Sequence, residues 1–338
     1  MQTLTRNRFY DNIRGFAILL VVIGHSIQAQ VTNFDANPVF ELIYSFHMPL
    51  FMFISGYVNC TPDRDKQYDM AWLKRRFQSL VIPFLVWIPL PYLFTHKWVD
   101  FPEYVLHVIQ FPDYGYWFLW VLFLNSFFFF LAWSFTQKWG GRHGISLDLA
   151  LFLTVIVIYV LTKLTSIPTG STVLGFGLLS WHSIYYFAGH IVHEHIDRLR
   201  KPLKIALPIA AIVWCCLVPF WRRDNSIIGN VAGKLFNHHI MVSGMTIAFS
   251  FLVAFCGIAF SICIVLILQK LCKCRIINEL GRYTLEIYIL QGLFFNIFPI
   301  PVTWLAILVN VGMGTVFPYL IAKLFATGKG RALLFGRK

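Results

Sequence analysis

The sequence predicts an all-α protein, a polytopic transmembrane helix bundle of about ten spans with both termini cytoplasmic. Three observations carry that prediction. Of 338 residues, 58% are hydrophobic and only 13% are charged, where a soluble domain carries about 25% charged residues. Apolar runs of about 20 residues, the length that crosses about 30 Å of hydrocarbon, recur from end to end. The basic residues gather in the gaps between those runs, as membrane topology demands.

The expected spans cover residues 12–30, 38–58, 78–96, 115–136, 147–165, 172–192, 203–221, 240–269, 282–299 and 301–325. The eighth is too long for an upright crossing and is expected to tilt or break. The last two are split only by the turn Pro299-Ile300-Pro301. Pro83, Pro89, Pro91, Pro208 and Pro318 are expected to kink helices rather than end them, because neighbouring helices satisfy the freed backbone groups. With the N-terminus inside, Lys97, Lys163, Arg222, Arg223 and Lys234 fall outside, and the other 23 of the 28 Lys and Arg fall inside. That asymmetry supports both the orientation and an even span count. No internal repeat or linker divides the chain, so residues 1–338 are expected to form one integral-membrane domain.

The same distribution argues against nucleic acid as the meaning of the +13 net charge. The seven cysteines lie mostly in or beside apolar runs and suggest no disulfide framework. Cys272 and Cys274 flank a single lysine, a weak metal signal on its own, and no metal is expected. Residues 6–30 have the basic flank and apolar core of a signal peptide, but Asp11, Arg14 and His25 in or beside that core argue against cleavage.

Those three residues are the most informative chemistry in the chain. Ionisable groups within an apolar span are costly there and mark a functional site by default. On a straight helix His25 stands about 16 Å above Arg14, and eleven residues is close to three turns. Asp11 and Arg14, three residues apart, are neighbours on one face. One stripe therefore carries Asp11, Arg14 and His25, with Arg14 near the inner surface and His25 close to mid-membrane. A neutral imidazole suits general-base work, and an arginine suits a phosphate or carboxylate. The alternative is that His25 bonds across helices and Arg14 snorkels inward.

The second span contains His47 and ends its apolar run at Ser55-Gly56. His47 reads as a substrate-binding residue or as a satisfied packing histidine. Lys74, Arg75 and Arg76 read as a positive-inside anchor or as a basic clamp for a phosphorylated cytoplasmic ligand. Trp117 reads as part of an interfacial aromatic belt or as a surface on which a sugar ring stacks. His190, His193 and His195, with Glu194, could hold a metal or could form a polar helix end. Arg222, Arg223, Asp224, His238 and His239 could line the mouth through which an acceptor enters.

The segments YDNIRGFAILLVVIGH (10–25), FHMPLFMFISGY (46–57), KRRFQSLVIPF (74–84), GYWFLWVLF (115–123) and GRYTLEIYILQ (281–291) follow one another along the chain. In that order they resemble the membrane-bound acyltransferase 3 family, and most nearly the branch similar to fucose and polysaccharide O-acetyltransferases. The resemblance covers nearly the whole chain. It implies O-acyl transfer, usually of acetyl from acetyl-CoA, to a hydroxyl of a surface glycan or its lipid-linked precursor, by a multi-pass protein of a bacterial inner membrane. It makes His25 the catalytic histidine with Asp11 and Arg14 beside it, and sets Arg14, Lys74, Arg75 and Arg76 toward the coenzyme. It leaves His47, Ser55 and Trp117 as candidates for the acceptor. Two positions depart from the pattern. Ser79 stands where a further arginine is common, and Gln291 stands where the late motif often ends in histidine. A transporter of an acylated product or small carboxylate is the competing class. Such proteins often carry internal pseudo-symmetry, and no matching halves are evident.

Overall fold

The computed structural model describes residues 8–59, 68–89, 101–112, 115–140, 144–169, 173–223, 226–235, 239–272, 274–325 and 334–336. Among them no strand occurs. The helices, in chain order, are α1 (Arg8–Gln30), α2 (Pro38–Tyr44), α3 (His47–Asn59), α4 (Met70–Trp87), α5 (Phe101–Gln110), α6 (Trp117–Phe135) and α7 (Leu147–Thr169). They continue with α8 (Phe176–Glu194), α9 (Ile196–Leu217), α10 (Ile227–Leu235), α11 (His239–Leu271), α12 (Arg275–Arg282), α13 (Thr284–Leu290) and α14 (Thr303–Leu324).

Among the described residues, 7 helical segments are long and apolar enough to cross a membrane, where the sequence predicts about ten. For the sixth and ninth spans the difference has a physical cause, and the third falls partly outside the described residues. The expected third span begins inside α4, whose first half carries Lys74, Arg75 and Arg76, and residues 90–100 lie outside the described residues. The expected sixth span is α8, 19 residues long, whose apolarity is diluted by His182, Ser183, His190 and His193. The expected ninth span is the short apolar helix Thr284–Phe294, α13 followed by a 3-10 turn. The expected eighth span is α11, 33 residues without a break and hence about 50 Å long. Pro83, Pro208 and Pro318 lie inside helices as expected, Pro89 lies just past the end of α4, and Pro91 is outside the described residues.

Local sequence explains several boundaries. Asn37 caps α2, its Oδ1 accepting from the backbone N–H of Val39 at 3.0 Å and of Phe40 at 3.1 Å, with Pro38 at the first helical position. Asp69 caps α4 through Trp72 N–H at 2.8 Å. The run after α13 ends at Asn296, which takes a left-handed φ of 57°. Asn310 on α14 holds that turn, accepting from the Asn296 backbone N–H at 2.9 Å and donating to the Asn296 side chain at 3.0 Å.

The chain forms two compact units. The first comprises residues 1–54 and 195–323, and the second residues 55–194 and 324–338.

In the first unit α12 packs on the N-terminal half of α1, and α13 packs on α1 further along. Two glycines make the α1–α12 crossing backbone to backbone. A Cβ on Gly15 would lie 1.8 Å from the Ile277 carbonyl oxygen, and one on Gly281 would lie 1.7 Å from that of Asp11. The pairing of 277 with 15 and 281 with 11 shows that α12 runs antiparallel to α1. Elsewhere in this unit α9 packs along α11, with Trp214 stacked on Phe260 at 4.3 Å and edge-on to Phe46 at 5.2 Å.

In the second unit α6 packs against α4, α7 and α8. Gly56 on α3 permits contact with α8, where a Cβ would lie 1.8 Å from the Tyr186 carbonyl oxygen. Trp87 Nε1 donates to the Leu334 carbonyl at 2.7 Å, which ties the C-terminal residues to α4.

Gly281→Ala should therefore force α12 away from α1. The expected cost is about 1–3 kcal/mol of stability, read as a lower unfolding temperature in detergent. Gly312→Ala, where a Cβ meets nothing within 4 Å, is the matched control and should leave that temperature unchanged.

Candidate functional site

Asp11, Arg14 and His25 all lie on α1, in the first unit. Asp11 is buried, while Arg14 and His25 are partly buried. Helix geometry turns His25 only about 20° from Arg14 around the axis, so the expected stripe is present. α12 and α13 pack on this helix, as do α2 and α11. Beside Asp11, the Gly281 contact brings the end of α12 against the α1 backbone. Arg282, hydrogen-bonded to Glu279 at 3.0 Å, has its pKa raised above the ordinary arginine value, chiefly by that bond and charge, with Tyr283 and Asp11 adding smaller contributions.

At the other end of the stripe the His25 side chain interacts with Gln291. Gln291 is 3% exposed, and its Nε2 donates to the Tyr288 carbonyl at 3.0 Å. Its Oε1 meets no donor at full hydrogen-bond geometry among the described residues. That oxygen is therefore poised to accept an N–H of His25. Such a bond fixes which ring nitrogen carries the proton and leaves the other free as a base.

Two residues here escaped sequence reasoning. Gln291 read there only as a departure from the family pattern, whereas it is the neighbour of His25. Glu286, on α13, is 0% exposed. A carboxylate within an apolar helix is the same signal that singled out Arg14 and His25, and applying that rule to GRYTLEIYILQ would have found it.

His47 is 2% exposed, its Nδ1 lies 2.9 Å from the Ile43 carbonyl oxygen, and its ring centroid is 4.5 Å from that of Tyr44. Arg222 pairs with Glu41 at 3.3 Å and Arg223 with Asp35 at 3.3 Å, so these two arginines tie the segment after α9 to the 35–41 segment. Asp224 and His238 of the expected acceptor mouth lie outside the described residues, as does the His239 side chain.

The remaining candidates belong to the second unit. Lys74 and Arg75 are exposed, whereas Arg76 is turned inward, its guanidinium 5.5 Å from the centre of the Trp72 ring. The basic run thus divides, two members outward and one inward, because successive residues point about 100° apart on a helix. Ser55 is half-buried. The Trp117 ring lies 5.0 Å from that of His182. His190 packs on Phe129 and His193 on Tyr57, each at 4.6 Å, while His195 belongs to the first unit. Among the described residues no three His, Cys, Asp or Glu side chains converge as a metal site. The sulfurs of Cys272 and Cys274 lie 3.2 Å apart.

The family profile of the acyltransferase 3 type, described as an acyltransferase domain, matches residues 7–323. The chain is similar to the nodulation protein NolL of Sinorhizobium fredii, 28% identical over 315 residues, covering 86% of this chain and 79% of that protein. It is also similar to the nodulation protein NolL of Mesorhizobium japonicum, 24% identical over 314 residues, covering 87% of this chain and 78% of that protein. No solved structure matches.

If Gln291 orients His25, then Gln291→Leu should lower the turnover of acyl transfer by about tenfold, the kinetic equivalent of one hydrogen bond worth about 1–1.5 kcal/mol. The donor KM should stay near its wild-type value. Steady-state assay of the purified variant checks this, and an unchanged turnover number would remove Gln291 from the site.

Proposed function

The chain belongs to the acyltransferase 3 family, and on that premise we propose that it moves an acetyl group from cytoplasmic acetyl-CoA to a hydroxyl of a cell-surface glycan or its lipid-linked precursor. It does so as an integral membrane protein with several apolar helices, placed in the inner membrane of a bacterium with both termini in the cytoplasm. The surplus of basic residues on the inner side supports that orientation, and bacterial relatives support the location. The observation that carries the reading is the stripe on α1. A histidine and an arginine share one helix face within an apolar span, with an amide acceptor beside the histidine.

In this reading the donor enters from the cytoplasm with its anionic end toward Arg14 and its thioester toward His25. The acceptor hydroxyl gives its proton to His25 as its oxygen attacks the thioester carbonyl. The carbon–sulfur bond then breaks, and the departing thiolate of coenzyme A takes the proton back from His25. The ester and free coenzyme A are the products, and His25 returns to its neutral form. In the second unit Arg75 lies on the exposed face of α4 and Arg76 on its inward face; with Lys74 they are the further basic candidates for an anionic ligand.

His25→Ala should lower transfer of radiolabelled acetyl by about 10²-fold or more, the usual worth of a positioned general base. Retention of wild-type activity by the purified, folded variant would overturn the assignment. Arg14→Lys separates two roles for the arginine. A planar fork that holds an anion through two bonds is not replaced by an ammonium group, so transfer should fall about tenfold or more with the fold intact. Full activity of the lysine variant would mean that Arg14 serves only as an anchor at the membrane surface.

A further inference from the structure

Cys272 and Cys274 stand where α11 gives way to α12 in the first unit. Both are free thiols, and their sulfurs lie 3.2 Å apart. Cys272 is exposed and Cys274 is buried. The Cys272 thiol donates to the Leu268 carbonyl at 3.2 Å, and the same carbonyl accepts its backbone N–H at 2.9 Å. The exposed sulfur is thereby held against the last turn of α11. Cys274 takes a left-handed φ of 44° directly before α12, a conformation that costs a residue with a Cβ about 1–2 kcal/mol. That strained residue keeps the second sulfur against the first.

The spacing suits one chemistry better than another. Two thiolates on a tetrahedral zinc, with bonds of about 2.3 Å, stand about 3.8 Å apart. Among the described residues no group of three His, Cys, Asp or Glu includes the pair. A disulfide needs the sulfurs about 2.05 Å apart, an approach of about 1 Å that side-chain rotation supplies. Cys272 also borders an open cavity whose lining includes Arg8, Lys270 and Arg275. These cations favour an anionic reagent over a cationic one.

We propose that Cys272 and Cys274 form a thiol–disulfide exchange site, in which Cys272 is attacked first and Cys274 resolves the adduct. The oxidant is a small anionic disulfide of the glutathione class. The Cys272 thiolate attacks one sulfur of that disulfide, forming a mixed disulfide and expelling the first glutathione thiolate. Cys274 then attacks the Cys272 sulfur, forms the bond between residues 272 and 274, and expels the second glutathione thiolate. Each departing thiolate takes up the proton that its attacking cysteine gave up. Two protein thiols are oxidised, and one glutathione disulfide is reduced to two thiols. Burial pushes the Cys274 thiol up in pKa, and its bond with Cys272 adds to that rise. A buried thiol of this kind reacts slowly with a reagent from solution and suits the second, intramolecular step. The new bond would fix the junction from which α12 departs along α1. On the proposed orientation the pair faces the cytoplasm, where disulfides are transient and redox-sensing.

The test uses the full chain in nanodiscs, oxidised glutathione as the probe, and peptide mass spectrometry after the remaining thiols are blocked with a maleimide. The wild-type protein should yield residues 272 and 274 joined, with neither blocked. Cys274→Ser should stop at a stable glutathione adduct on Cys272. Cys272→Ser should leave Cys274 to react about tenfold or more slowly than Cys272 does in the Cys274→Ser protein. If the wild type also stops at the mixed adduct, or keeps both thiols, the exchange site is overturned. Equal rates for the two single variants would overturn the order of attack. Zinc retained by the reduced wild type and lost from both variants would make the pair a metal site instead. An unchanged unfolding temperature shows that the variants fold. No readout here needs acyl transfer, so the thiol pair and the proposed reaction stand or fall separately.

Discussion

The close approach of α12 to α1 is the contact on which the rest of the first unit depends. Within a bilayer, helices gain little from hydrophobic burial against one another, so association rests on packing, and small residues let backbones approach. Gly15 and Gly281 are those residues here, each leaving room for a carbonyl oxygen of the other helix where a Cβ would overlap it. The geometry fixes more than one contact. Once α12 runs antiparallel along the start of α1, the chain turns at Arg282–Tyr283 and α13 runs back along the same helix. Gln291 is thereby brought beside His25. The stripe of Asp11, Arg14 and His25 would otherwise face whatever happened to be nearest.

The same crossing builds the cavity beside Cys272. Arg8 and Asn12 come from α1, Lys270 from the end of α11, and Arg275 from the start of α12. Asn278 Nδ2 donates to the Arg8 carbonyl at 3.3 Å, which reinforces the wall. The pairing of α12 with the start of α1 shapes this wall, whereas Gln291 meets His25 through the segment that follows.

Much of this was legible in the sequence, and the parts that were not share a cause. The stripe on α1 was readable because it is local: helix periodicity alone aligns residues 11, 14 and 25. The unbroken length of α11 was open to tilt or breakage, and it runs through. The shortened ninth span was hidden, because its run reads as apolar to Pro299 and its end is set by Asn310, 14 residues away, holding Asn296 in a left-handed turn. The Gly15 and Gly281 pairing was hidden for the same reason, since neither glycine sits in a local pattern that names the other. For the run Lys74-Arg75-Arg76, charge alone did not disclose that Arg76 turns toward Trp72 while its neighbours face outward. Gln291 was visible and undervalued, because comparison with the family measured what it lacked as a base and not what an amide oxygen does beside an imidazole.

The shortened helix bears on how a polar acceptor reaches His25. From Thr284 to Phe294 the α-helix and its 3-10 turn rise about 18 Å, well short of the roughly 30 Å of hydrocarbon. Beyond it, residues 295–302 are irregular, and residues 296–299 are exposed. Irregular backbone is tolerated at membrane depth only within protein or against water. Polar groups collect here: the side chains of Gln30 and Asn296 are hydrogen-bonded, and Asn296 Nδ2 donates to the Ala29 carbonyl at 3.4 Å. Ala29 is four residues from His25, about 6 Å along α1. With the proposed orientation, this polar layer lies on the side away from the cytoplasm. In the proposed mechanism a hydroxyl arriving there travels about one helical turn to meet the imidazole, while the donor comes up the stripe from Arg14. A full-length ninth span would extend hydrocarbon-covered helix past His25 and close that approach. On the proposed reading, the shortened helix leaves His25 open on two sides, as transfer from an inner donor to an outer acceptor requires.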